Sequence, residues 1–285
     1  MAEKEIDGRK IAKELKKRIS KTVEELKSKY KIVPNITTIV IGDDKSSELY
    51  LKLRDKACNE VGILSNHLEF SKNISEKEVL EEIFRLNNDK NVHGILIQLP
   101  LPGHLSQTKL INSIDPKKDV EGLNPFNIGR TLNGDEYIVP ITPLSVLTIL
   151  ENEKTEFKGK NIVIINHSNH VGKPLVALML NRNATVTICH VFTKDLKKFT
   201  NESDILISAT GVRNLINADF IKKGATVIDI GIVNTKDGIC GDVDYKSAIE
   251  KAERITPVPG GVGPVTVACS LLNMIKTFKN CVEGK

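Results

Sequence analysis

Tyr50 and Arg54 stand four residues apart in "SELYLKLRDKA", residues 47–57, a spacing that puts both on one face of a helix. An arginine there can hold a charge and orient a partner, but it stays protonated under ordinary conditions and cannot serve as a base. A second candidate is Gln98, which follows the apolar run "HGILIQL" and precedes a proline turn in "VHGILIQLPLPGH". A glutamine in that position usually satisfies nearby backbone, and it gains a chemical role only where other motifs converge on it.

Two glycine-bearing turns carry a different chemistry. In "NIVIINHSNHVGKPLVALML", residues 161–180, a β-rich run, a turn holding Gly172 and a helix with Pro174 near its start form a strand–helix unit whose exposed amides suit a pyrophosphate. Asn166 occupies the place of the first glycine of a dinucleotide fingerprint and tolerates the required backbone only in part, so this unit alone leaves dinucleotide binding and a plain structural crossover equally open. The following run ends "TICHVFTKDL", with its first carboxylate only at Asp195, so nothing there excludes a 2′-phosphate. Val191 offers no charge to anchor one, which leaves His167, Lys173 or Lys194. Cys189 and His190 are neighbours in an extended run and point to opposite faces, which argues against a nucleophile–base pair. The second turn, "ITPVPGGVGPVTVA" at 255–268, packs three prolines and three glycines into a rigid loop leading into a helix from about Pro264. Close backbone approach to a ligand explains it better than a closing turn.

The elements that must hold these residues are legible as alternation. Short β-rich runs ("TTIVI", "SNHLEF", "HGILIQL", "KNIVIIN", "ATVTIC", "DILISA", "ATVIDIG", "RITPV") alternate with helical patterns, among them 46–61 and 75–88, which is the rhythm of parallel α/β sheets. The stretch "KKDVEGLNPFNIGRTLNGDEYIVPITP" interrupts it and reads as a crossing between two domains. The expected fold is therefore α/β: two doubly wound domains with a cleft between them and ligands at the carboxyl ends of the strands.

Bulk properties agree with a soluble globular protein. The chain has 285 residues, 40% apolar and 27% charged, with a net charge of +5. Much of that charge lies in "GRKIAKELKKRISKTVEELKSKYK", where Ile11, Leu15, Ile19, Val23 and Leu26 recur at helical spacing. With no tryptophan and few aromatics for base stacking, the lysines read as a solvated helix face and not as a nucleic-acid patch. Glu3, Glu5 and Asp7 without an apolar core argue against a targeting peptide, and no run reaches membrane-spanning length. The five cysteines, widely spaced and without ligand-like pairs, read as reduced buried thiols of a cytoplasmic protein with no metal site.

Taken together and in order, "SSELYLKLRDKACNEVGI", "HGILIQLPLP", "KKDVEGLNPFNIGRTL", "SNHVGKP", "ATVTICH", "GDVDY" and "TPVPGGVGPVT" resemble the methylenetetrahydrofolate dehydrogenase/methenyltetrahydrofolate cyclohydrolase family, the FolD-type enzymes, from about residue 6 to 280. The resemblance implies a homodimer. Each subunit has a folate-binding catalytic domain over 1–140, completed by a C-terminal helix at 266–285, and a Rossmann-like NAD(P)-binding domain over 141–265. It implies oxidation of 5,10-methylenetetrahydrofolate with NADP, or alternatively NAD, followed by hydrolysis of the methenyl product to 10-formyltetrahydrofolate. Family roles fall on Tyr50 for ring stacking, on Gln98 as support for the catalytic amine, and on Glu121 as pterin anchor, with Leu99, Pro100, Gly260, Gly261 and Pro264 beside the substrate. Cofactor contacts fall on Asn166, His167, Ser168, Val171, Gly172, Lys173 and Pro174 in the first turn. Others fall on His190, Thr210, Gly211, Gly231 and Ile232.

Two departures lie at the chemical centre. Arg54 stands where the family has its catalytic lysine, and Glu121 where it has the aspartate of a D-V-D-G segment. In the cofactor turn Asn166-His167-Ser168 replaces the usual G-R/A-S, and Val191 replaces a serine or arginine, which weakens the usual preference for NADP. Hydride removal from a carbon flanked by two nitrogens needs orientation and no general base, so Arg54 leaves the dehydrogenase step possible. Hydration and ring opening need proton exchange, and losing it costs roughly 10²–10⁴-fold, about 3–5 kcal/mol. The expectation is a working dehydrogenase with a weakened cyclohydrolase. A dehydrogenase of another small substrate and a folate-binding homologue with impaired catalysis are the competing readings, as is an Arg54 turned outwards with Lys56 or water in its place.

Overall fold

The structure, a computed structural model, describes residues 4–42, 45–236 and 238–284, with the side chains of 45–47 and 49 also outside the description, as is Glu3. In chain order the elements begin with α1 (Gly8–Tyr30), β1 (Asn35–Ile41), α2 (Lys45–Val61), β2 (Leu64–Phe70), α3 (Glu76–Asn88), β3 (Gly94–Ile97) and α4 (Gln107–Ser113). They continue with α5 (Pro125–Leu132), α6 (Ile141–Asn152), β4 (Asn161–Ile165), α7 (Gly172–Leu180), β5 (Thr185–Cys189), α8 (Leu196–Thr200) and β6 (Ile205–Ser208). The last are β7 (Thr226–Asp229), β8 (Val233–Thr235), β9 (Gly238–Cys240), α9 (Tyr245–Lys251), β10 (Arg254–Ile255) and α10 (Val262–Glu283). Each β-rich run singled out in the sequence contains a strand, and no described helix is long and apolar enough to cross a membrane.

The chain divides into two compact units. One comprises Glu14–Arg130, Glu136–Ile141 and Val267–Lys285; the other comprises Met1–Lys13, Thr131–Asp135 and Thr142–Thr266. Against the expected 1–140 with 266–285 and 141–265, residues 1–13 and 131–135 group with 142–266. Ile6 N–H donates to Ile255 O at 2.8 Å and Ile255 N–H to Lys4 O at 2.9 Å, so the opening residues extend the edge of the second unit's sheet.

In the first unit β2, β1 and β3 form a parallel sheet in that order. The β-branched residues of β1 suit a pleated strand buried on both faces, and Ile39, Ile95 and Ile97 pack with Val79, Ile83 and Leu86 of α3. Helix α3 starts at a reciprocal cap: Ser75 Oγ accepts from Glu78 N–H, and the Glu78 carboxylate accepts from Ser75 N–H. On α1 the residues Ile11, Leu15, Ile19, Val23 and Leu26 are buried while Lys13, Lys17 and Lys21 are exposed, as their spacing requires.

The second unit holds five parallel strands in the order β10-β7-β6-β4-β5. Numbered within the unit this is 2-1-3-4-5, a doubly wound sheet whose winding reverses between β4 and β6, where ligand crevices form. A small antiparallel pair, β8 and β9, follows β7. Of the cysteines, Cys58, Cys189 and Cys269 are buried, but Cys240 is half-buried and Cys281, near the end of α10, is exposed, correcting the expectation that all five are buried thiols.

Candidate active site and cofactor crevice

Arg54 is the largest fully buried side chain of the described residues, with 0% exposure. Its Nη2 donates to Thr38 Oγ1 on β1 at 2.7 Å, and its Nε and Nη1 are buried without a hydrogen-bond partner among the described residues. The guanidinium carbon lies 5.8 Å from the centre of the Tyr50 ring, so the two residues share one face of α2. The outward-facing alternative is overturned, because it is Lys56 that is exposed. A guanidinium taken out of water with one hydroxyl partner and no carboxylate at bonding distance is an expensive arrangement, and its two orphan donors are the strongest local sign of a binding site.

Glu121 is half-buried and titrates far above an ordinary carboxylate, at about 7; burial raises it, the charge of Arg54 lowers it, and Asp119 raises it again. Burial, with the nearby Glu121 charge, also lifts the Tyr50 phenol above its usual value. The turn that carries Glu121 is built on the buried Asp119, the first residue of "DVEG". Its carboxylate accepts from Gly122 N–H (3.0 Å), Asn124 N–H (2.8 Å) and Asn127 Nδ2 (3.0 Å). Gly122 has φ +73° and lies against Val139, whose carbonyl carbon would sit 2.6 Å from an added Cβ, so only glycine closes this turn. From α10, Asn273 Nδ2 donates to Val120 O at 2.9 Å and Val139 O at 2.8 Å, fixing both sides of the segment.

Gln98 has both roles weighed for it. Its N–H continues the β1–β3 ladder to Ile39 O at 2.9 Å and its Nε2 satisfies Leu99 O at 2.9 Å, while Oε1 is buried without a partner. Leu99 is half-buried and Pro100 exposed, across a cis peptide bond. The first unit therefore presents two unpaired donors on Arg54 and one unpaired acceptor on Gln98.

In the second unit, Asn166 follows β4 without a left-handed backbone. Its side chain does the work expected of a glycine: Oδ1 accepts from Ser168 N–H (2.8 Å) and Gly172 N–H (3.1 Å), and Nδ2 donates to Ala209 O (2.6 Å) after β6, across the reversal point. Gly172 is required because an added Cβ would lie 2.0 Å from Asn166 O. The amides opening α7 are engaged inside the turn, Val171 N–H with Ser168 Oγ at 3.1 Å and Lys173 N–H with Ser168 O at 3.1 Å, which departs from the expected row of open donors. Pro174 is buried in the first turn of α7, and Lys173 is exposed with its Nζ on Asn169 Oδ1 at 2.7 Å. His167 and His190 meet beyond the ends of β4 and β5, with ring centres 4.8 Å apart.

Two buried aspartates hold the remaining loops. Asp242 accepts from Ser208 Oγ (2.8 Å), Thr210 N–H (2.6 Å) and Val212 N–H (3.1 Å), and Asp229 accepts from Gly231, Asp242 and Val243 N–H at 2.9, 3.1 and 2.9 Å. An added Cβ on Gly231 would lie 2.1 Å from Asp242 Oδ1. Gly211, with φ +70°, is exposed with open space beside it, as is the side chain of Ile232. The reversal point and the open Gly211 backbone fit a dinucleotide. Asp242 was visible in sequence only as part of "GDVDY"; Thr38 and Asp229 gave no signal beyond their strands.

In "TPVPGGVGP" the glycines serve the chain's own packing. Gly261 is buried, and its added Cβ would meet Pro257 O at 2.6 Å; that of Gly8 would meet Gly261 O at 1.8 Å. Gly260 has φ +116° and lies near Arg9. Pro264 is half-buried, and the exposed Gly263 has open space beside it. Helix α10 begins at Val262, two residues ahead of Pro264.

Residues 6–121 match the family described as tetrahydrofolate dehydrogenase/cyclohydrolase, catalytic domain, and residues 140–282 match its NAD(P)-binding domain. The bifunctional protein FolD of Methanosarcina barkeri is 49% identical over 278 residues, 98% of this chain and 96% of that protein. The crystal structure of the bifunctional FolD methylenetetrahydrofolate dehydrogenase/cyclohydrolase from Campylobacter jejuni superimposes with a TM-score of 0.94 at 42% identity, covering 96% of this chain and 98% of the other. That of the Trypanosoma brucei enzyme, complexed with NADP cofactor and an inhibitor, gives 0.93 at 36% identity, covering 98% of each chain. With both halves matched in order and the full length shared with such relatives, this chain belongs to the tetrahydrofolate dehydrogenase/cyclohydrolase family.

Proposed function

We propose that this chain oxidises 5,10-methylenetetrahydrofolate to the 5,10-methenyl cation with NADP and hydrolyses that cation to 10-formyltetrahydrofolate only weakly. The observation that carries this reading is Arg54, buried beside Tyr50 and Glu121 with Nε and Nη1 unpaired. NADP, when bound, supplies the hydride acceptor. The chain's part in that step is orientation: Tyr50 stacks on the folate, Gln98 Oε1 and the Arg54 donors fix its polar edge, and Glu121 anchors the pterin and offsets the guanidinium charge near the forming cation. Proton exchange for hydrolysis has no lysine to use, and a guanidinium cannot provide it.

In this reading residues 1–140 with 266–285 bind folate, 141–265 bind the dinucleotide, and the enzyme works as a cytoplasmic homodimer. Tyr50, Arg54, Gln98 and Glu121 are the catalytic set. Incubation with 5,10-methylenetetrahydrofolate and NADP, read as cofactor reduction, is expected to give turnover, while methenyltetrahydrofolate alone is consumed barely faster than in buffer. Hydrolysis as fast as hydride transfer would overturn it.

A further inference from the structure

Arg54 and Asp55, consecutive on α2, engage two residues that stand in register on neighbouring strands, Thr38 of β1 and His67 of β2. Arg54 Nη2 donates to Thr38 Oγ1, and Asp55 Oδ1 accepts from Ser65 Oγ at 2.7 Å and lies 2.9 Å from His67 Nε2. A carboxylate only accepts, so that imidazole nitrogen carries the proton. Ser65 and His67 are two apart on β2 and therefore turn the same way, toward α2.

We propose that Asp55 is a positioning residue for the folate reaction: its tie to Ser65 and His67 fixes the rotation of α2 about its own axis, and so the aim of Tyr50 and Arg54. The proposal rests on the folate reading above. A helix held at one point can turn about it, whereas two ties on strands about 5 Å apart set one rotation. Packing alone does not set it. Among the described side chains, the buried apolar ones of α2 are Ala57, Cys58 and Val61, all on the C-terminal side of Arg54 and two of them small. A further polar tie of α2, Glu60 with Lys16 of α1, is a partly exposed ion pair farther along the helix, of the kind that contributes little. Asp55 is half-buried with its carboxylate engaged on β2, so it acts on the reaction only through the two side chains whose direction it sets.

Hydrogen bonds to a charged group of this kind bias the held helix over a turned one by about tenfold or more. A chain whose competent state falls to roughly a tenth of the population binds its ligand about tenfold more weakly, and saturating ligand draws that state back. Steady-state kinetics of hydride transfer from 5,10-methylenetetrahydrofolate to NADP test this. Asp55→Leu is expected to raise the folate KM about tenfold, with kcat and the NADP KM within about twofold of wild type. Asp55→Asn keeps an acceptor oxygen for Ser65 and His67 and is expected to bring the folate KM back to within about threefold. Ser65→Ala and His67→Phe each remove one of the two bonds and are expected to raise it a few-fold, which keeps the test decisive where Asp55→Leu does not fold. Folded variants whose unfolding midpoint drops while the folate KM stays at the wild-type value overturn the proposal, and so does a folate KM that rises no more than that of NADP; both leave the folate reading intact. Wild-type chain without hydride transfer sinks both.

Discussion

Among the described residues, Thr38 Oγ1 is the one hydrogen-bond partner of the Arg54 guanidinium, 2.7 Å from Nη2. A strand residue on β1 thus holds the side chain that α2 buries beside Tyr50, and in the proposed reading its charge stands where a titrating amine would exchange protons. Arg54→Lys is therefore expected to raise methenyltetrahydrofolate hydrolysis by roughly 10²–10⁴-fold, with hydride transfer changed less than tenfold. Side-by-side kinetics of both half-reactions decide it, and an unchanged hydrolysis rate refutes it.

Thr38→Val keeps the shape of β1 and leaves all of Arg54's donors unpaired. It is expected to destabilise the fold by about 1–3 kcal/mol, measured by denaturant unfolding. In the Arg54→Lys background the same substitution should cost less, since a lysine amine can turn to another acceptor; equal losses in both backgrounds would show the two residues to be uncoupled.

Glu121 titrates at about 7 in the folded chain against an ordinary 4.5. The folded state then binds more protons than the unfolded state between those values, so stability falls as pH rises from about 4.5 to about 7, by roughly 3 kcal/mol in all. Glu121→Gln is expected to flatten that part of the stability–pH curve. Melting temperatures across the range check the sign, and a mutant curve parallel to wild type counts against it.

Asp242 gathers one hydroxyl and two backbone N–H groups around Thr210 and Gly211. An amide has a single acceptor oxygen, so Asp242→Asn strands at least one of them, costing about 1–3 kcal/mol. The expected kinetic signature is a raised KM for the cofactor with the folate KM little changed.

How much of this was readable from the chain depends on range. Strands announced themselves through β-branched runs such as "TTIVI", and the shared face of Tyr50 and Arg54 followed from four-residue spacing, because both signals are local. Asn166 was misjudged for a local reason: its backbone was weighed for a glycine conformation, whereas its side chain closes the turn. The pairing of residues 4–6 with Ile255, the clamp of Asp242 on Thr210 and the hold of Thr38 on Arg54 join distant positions and leave no periodic trace. The glycines of "PVPGGVGP" read in sequence as a sign of ligand approach, and the crowded contact at Gly261 selects the same residue type for the chain's own packing.

Asn273 supplies a second test of packing. Replacing it by leucine orphans the buried carbonyls of Val120 and Val139 and is expected to cost about 2–4 kcal/mol, seen as a lower unfolding midpoint.

That same side chain sets an order of events during synthesis. The turn bearing Glu121 is translated about midway along the chain, yet its clasp arrives 153 residues after Val120. While the ribosome is still at work, the nascent half-site stays unlatched, and it locks only when the closing helix has cleared the exit tunnel.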